Sequence, residues 1–243
     1  MNYQQKATQS SPAIDEALRT YMLRVYNYMA AGLAITGVVS YILLQLTAVI
    51  GENGELIGLT QLGATMYGGN MLYVFALSPV IVLWFGFSPN MSASRAQTTF
   101  WILSVLMAFS LAPLFIIFTG SSVVRVFLIT SSLFGLLSLY GYTTKKDLTG
   151  FGSFLAVGVI GLFLVSIVNL FIQSSTMMYL ICYIGVPLML GCIAYRTQHI
   201  KNQFNAFDSE ESMKRNAIIG ALDLYIFFIN LFKFLIIILG NRR

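Results

Sequence analysis

A chain of 243 residues in which 57% are hydrophobic and only 9% are charged cannot clothe a water-facing surface, because soluble domains carry roughly a quarter charged residues. That composition excludes an ordinary soluble enzyme or binding domain. The formal net charge of +5 does not point to nucleic acid either, since the basic residues are dispersed and form no cluster with interleaved aromatics.

The first 24 residues, MNYQQKATQSSPAIDEALRTYMLR, are polar and lack the apolar core of a cleavable signal peptide. They are expected to form an N-terminal tail over 1–24, with a transmembrane domain over 25–243. Crossing a hydrocarbon core takes about 20 apolar residues. Runs of this kind predict seven spans, at 25–49, 71–88, 98–119, 123–142, 151–172, 177–195 and 216–239. A backbone in lipid must satisfy its own hydrogen bonds, so each run is a helix or a strand of a closed barrel. The runs do not alternate apolar with polar residues, which removes the barrel. The expected fold class is therefore all-α, a polytopic integral membrane protein built as a seven-transmembrane-helix bundle. Short connections between the third and sixth spans force neighbouring helices to run antiparallel.

Lysine and arginine counts in short loops set orientation. With the N-terminus inside, Lys6, Arg19, Arg24, Arg95, Lys145, Lys146, Arg196, Lys201, Lys214 and Arg215 all fall on the inner side, ten of the fourteen basic residues. The loop at 50–70 holds Glu52 and Glu55 but no basic residue, as an outer loop would. Arg125 falls outside, and Lys233 lies within the last span. Arg242 and Arg243 fall outside if the last segment crosses fully, and inside if it is re-entrant; its 24 apolar residues favour a full span.

Few residues suggest chemistry. The chain has no nucleophile elbow, Walker sequence or HExxH, and its acidic residues are scattered. A non-enzymatic protein with no cofactor and no metal site is expected. Cys182 and Cys192 read as buried small hydrophobes, and His199, the single histidine, is too isolated for a metal site. Gly158 and Gly161 suggest close helix packing or local flexibility, ahead of a ligand-contact role. Pro79, Pro113 and Pro187 interrupt spans, each either kinking its helix or freeing carbonyls that line a cavity.

Ionisable groups at membrane depth are more informative, since such charge is expensive and faces a bundle interior or water. Asp223 and Lys233 both sit in the last span, about 15 Å apart at the ~1.5 Å rise of a helix, too far to pair. Lys233 can instead snorkel to the far headgroups. Asp223, Phe227 and Asn230 share one face through their i, i+4, i+7 spacing. Asn230 and Asn169, in the fifth span, are candidates for an interhelical hydrogen bond.

Several segments carry a family resemblance: RTYMLRVYNYMA at 19–30, SLFGLLSLYGYTTKKDLTGFGSF at 132–154, GLFLVSIVNLFIQSS at 161–175, AYRTQHIKN at 194–202 and ALDLYIFFINLF at 221–232. On these residues the chain resembles the Bax inhibitor (lifeguard) transmembrane family, and its bacterial members more than its animal ones. The resemblance implies a bundle with a central seventh helix, pH-sensitive calcium leak, protection against cell death and, in one bacterial relative, modulation of a membrane-anchored ATP-dependent protease. It also implies a sensor made of two aspartates, one in a DTQ motif on the sixth helix and one in LYLDFINLF on the seventh. Here Arg196 stands at the first position, in AYRTQ, and Phe227 at the second, in LYIFFINLF. A latching arginine expected on the second helix is missing, since 71–88 contains no basic residue.

Two carboxylates can share a proton and act as a pH switch; an arginine, always charged, and a phenylalanine cannot. The surviving acid is Asp223. Arg196 is a candidate partner for it across antiparallel helices, the alternative being that Arg196 simply faces the inner headgroups.

The leading expectation is therefore a multi-pass protein of the bacterial inner (cell) membrane with a calcium-leak or ion-homeostasis role and a diverged di-aspartate sensor. The alternative is a non-transporting regulator or interaction partner of a membrane-anchored ATP-dependent protease. A third reading, an intramembrane enzyme, lacks any catalytic constellation. The expected partners are the lipid bilayer, a calcium ion and a membrane protease, with no nucleic acid. The candidate pore or sensor positions are Arg196, Asp223, Phe227, Asn230 and Asn169.

Overall fold

A computed structural model describes residues 12–243 except Asn53, Asn70, Pro89 and Asn90. Along the chain lie α1 (Pro12–Thr47), β1 (Ala48–Ile50), β2 (Leu56–Leu59), α2 (Gln61–Tyr67), α3 (Met71–Gly86), α4 (Ala93–Ile117), α5 (Gly120–Thr143), α6 (Thr149–Ile172), α7 (Ser175–Asn202) and α8 (Glu210–Leu239). Among the described residues the architecture is all-helical apart from one short antiparallel hairpin, β1 with β2.

Local chemistry fixes the helix starts. Ser92, Thr119, Ser174 and Ser209 each accept a hydrogen bond from the backbone N–H three residues on, which begins α4, α5, α7 and α8. The tight α6–α7 turn uses Gln173 at φ 53°, and the side-chain oxygen of Asn169 accepts from Ser174 N at 3.1 Å. At its start α1 gains from Asp15 in its first turn. It runs as helix from Pro12 through the second half of the expected tail, whose residues 1–11 lie outside the described residues. Tyr21, Met22, Val25 and Met29 are buried along one stripe, so packing holds this polar-faced extension helical.

Among the described residues, six helices are long and apolar enough to cross a membrane on their own: α1, α4, α5, α6, α7 and α8. The segment expected as the second span differs. With 16 residues, α3 rises about 24 Å, less than the ~30 Å hydrocarbon core. It is preceded by α2 across a 60° bend, where Gly68 and Gly69 separate the two. The region expected as a loop at 50–70 thus holds the hairpin and α2. Pro79, Pro113 and Pro187 leave α3, α4 and α7 unbroken.

The central element is α8, which packs against α1, α4, α5 and α7; α3 lies along α4, and α6 along α7. Tyr225, Leu224 and Leu231 of α8 are fully enclosed. Antiparallel connections bring the described basic residues Arg19, Arg24, Arg95, Lys145, Lys146, Arg196, Lys201, Lys214 and Arg215 toward one end of the bundle. At the other end sit the hairpin and the α4–α5 turn. There the C-terminal strap closes on the bundle. Asn241 O accepts from Thr119 N at 3.1 Å and Arg243 N donates to Ile117 O at 2.9 Å. The Arg243 side chain donates to the carbonyls of Phe118 and Gly54. The last helix therefore traverses the bundle fully and is not re-entrant.

Candidate functional site

The site is built on the α7–α8 seam, where glycines let the helices approach. A Cβ at Gly185 would meet the Phe234 ring at 2.5 Å, and one at Gly220 would meet Ile200 at 3.2 Å. These two contacts fix an antiparallel register in which Arg196 falls opposite Asp223. Arg196 Nε lies 3.6 Å from Asp223 Oδ2, with the side chains 35% and 28% exposed. A guanidinium and a carboxylate at membrane depth thus compensate one another.

Phe227, one turn beyond Asp223 and half-buried, packs against the apolar core at the level of the buried Cys192. In the seam as described, the carboxylate of Asp223 is engaged by Arg196, and no other acid stands beside it. Calcium takes six to eight oxygen ligands, a set these side chains do not supply. Among the described residues no group of three or more His, Cys, Asp and Glu converges.

The remaining candidates separate. Asn230 donates from Nδ2 to Ile226 O of its own helix at 3.0 Å, while Asn169 caps the α6–α7 turn. The expected hydrogen bond between them is absent, because α6 packs chiefly on α7 and has little contact with α8, and because an asparagine amide can be satisfied by the carbonyl four residues back. Lys233 forms no ion pair among the described residues. Of the two glycines read as sites of packing or flexibility, Gly158 meets a neighbour, Leu188, whereas Gly161 faces open space.

Sequence reasoning missed a clamp on the other face of α7. Gln198 accepts from Leu148 N at 2.8 Å and donates to Lys146 O at 2.9 Å. Lys201 donates to Tyr142 O at 2.8 Å and sits over the Tyr142 ring. Gly141 packs so tightly on Ala194 O that a Cβ would fall 2.2 Å from it. One hydroxyl chain joins Tyr26 to Ser138 at 2.7 Å and Ser138 to Thr197 at 3.1 Å. The signal was present: Ala194, Thr197, Gln198 and Lys201 are spaced i, i+3, i+4, i+7, a single helix face. The two motif blocks at 132–154 and 194–202 are therefore two sides of one joint. In the α5–α6 turn of the first block, Asp147 is exposed and Thr149 donates hydrogen bonds to it, which holds its carboxyl below the usual carboxylate range.

The stretch of chain that forms this bundle and its seam falls within sequence matches to known proteins. The family described as Inhibitor of apoptosis-promoting Bax1 matches residues 18–243. An uncharacterized protein of Caulobacter vibrioides is 41% identical over 98% of this chain and 94% of its own. One from Rickettsia prowazekii is 39% identical over 97% and 95%. The inner membrane protein YbhL of Escherichia coli is 38% identical over 93% of each chain. With its long apolar helices arranged around α8, the chain belongs to the Bax inhibitor family of multi-pass membrane proteins.

Proposed function

We infer that this chain is a multi-pass protein of the bacterial inner membrane in which the position of the family's acid sensor is held shut, so that acid-gated calcium leak is weak or absent. The observation that carries this reading is the Arg196–Asp223 pair. It sets a fixed positive charge at one of the two positions whose acids would share a proton, and it engages the one acid left nearby, Asp223. Phe227 adds no oxygen and fills the same stripe. The chain, in this reading, acts without enzymatic chemistry. In this reading α2 and α3 form one broken crossing, giving seven spans with the N-terminus inside and the C-terminal strap outside, the arrangement that places the basic end of the bundle inward.

Calcium uptake into liposomes loaded with an indicator dye tests the reading across mildly acidic to mildly basic pH. Wild type is expected to show little pH-gated flux. Arg196→Asp combined with Phe227→Asp restores carboxylates at both sensor positions and is expected to leak in a pH-dependent way; each single change, including Arg196→Asp that sets one acid opposite Asp223, is expected to do less. Robust acid-gated flux through wild type sinks the proposal.

One observation favours a second role. In the 203–209 turn, braced by Asn205 bonding to Asp208 and to Phe207 N, the ring of Phe207 is 91% exposed. An aromatic held outward at the basic end suits docking to another membrane protein, such as an ATP-dependent membrane protease. Co-purification of such a protease with wild type but not with Phe207→Ser supports this role.

A further inference from the structure

At the basic end, α1, α4 and the start of α8 border an open cleft of about 640 Å³ that plays no part in the α7–α8 seam. Its mouth is polar, carrying Arg24, Asn27, Glu210 and Lys214, and its floor is aromatic, formed by Tyr28 and Trp101 with ring centroids 5.9 Å apart. Arg24 donates to Glu210 at 2.7 Å. Lys214 has no ion-pair partner among the described residues. Two cations against one carboxylate leave the mouth one positive charge in excess.

The gradient from charged mouth to apolar floor runs along the membrane normal, because Trp101 lies two turns into α4 and Lys214 one turn into α8. A soluble anion would use the mouth alone and leave the aromatic floor empty. We propose that this cleft binds an anionic glycerophospholipid, its phosphate between Lys214, Asn27 and Arg24 and an acyl chain against Tyr28 and Trp101. Glu210 opposes the phosphate by competing for Arg24, so it tunes the site downward. The lipid ties α1 to the start of the central helix.

Trp101 supplies the probe, since the chain has two tryptophans and the other, Trp84, is 79% exposed on α3. In a Trp84→Phe background, Trp101 fluorescence is measured in phosphatidylcholine vesicles doped with brominated-chain phosphatidylglycerol or brominated-chain phosphatidylcholine. The phosphatidylglycerol is expected to quench more at equal content. Lys214→Gln should lower that preference about fivefold, as expected for one cation near an anionic surface. Glu210→Gln should raise it by freeing Arg24, and an opposite sign in the two variants separates recognition from loosening of the bundle end. Inorganic phosphate should not relieve the quenching. Equal quenching by both lipids in the parent, an unchanged preference in both variants, or a loss in both overturns the proposal.

Discussion

Removing one member of the Arg196–Asp223 pair strands the other at membrane depth, and the structure sets the size of the effect. At 3.6 Å the direct attraction at an effective dielectric of ~20 is about 4–5 kcal/mol. Both side chains keep about a third of their surface exposed, so screening and desolvation reduce the net coupling to ~1–2 kcal/mol. Arg196→Leu and Asp223→Leu should each destabilise the detergent-solubilised protein. The double variant should be milder than the sum of the singles by that coupling. Denaturant unfolding followed by circular dichroism gives the four free energies of the cycle. Strict additivity would show that the two charges do not sense each other, and would remove the premise of a locked seam.

Gln198→Leu breaks both hydrogen bonds to the 144–148 turn and leaves Leu148 N without its partner, so a loss of ~1–3 kcal/mol is expected in the same unfolding assay; unchanged stability would mean that the joint is held by packing alone. Asn230→Leu removes only a bond to its own helix, and a change below about 1 kcal/mol is expected, whereas a large loss would reveal an interhelical partner.

Apolar run length located the long helices well because it reports what lipid demands, namely about 20 residues without unpaired charge. It failed where helices leave the hydrocarbon. The central helix begins at Glu210, six residues before the expected span, and Ser209 with Glu210 and Glu211 already spells an N-cap and an acidic first turn. The hairpin was illegible because three- and four-residue strands carry no periodic signal. The pairing of Arg196 with Asp223 was readable as an expectation because intramembrane charge needs compensation. By contrast, the fate of Asn230 was not, since its amide can turn to its own helix as easily as to a neighbour.

The position of Arg196 is set from two sides of one helix, and this is why a basic residue can occupy it without disturbing the bundle. Two residues on, Gln198 fastens α7 to the 144–148 turn, and Gly141 brings α5 against the carbonyl of Ala194 just before it. These contacts hold the last turns of α7 whatever stands at 196. The side chain then needs only a counter-charge, and Asp223 provides it one turn nearer the basic end than Phe227. An acid at Phe227 would instead lie beside the buried Cys192, deeper and farther from water, where a fixed guanidinium would have to reach inward. Moving the acid by one turn toward the basic end lets an arginine keep its headgroup-side hydration while remaining paired. The fold is therefore maintained by the clamp and the glycine contacts, and the charges of the seam are an addition to it rather than its support.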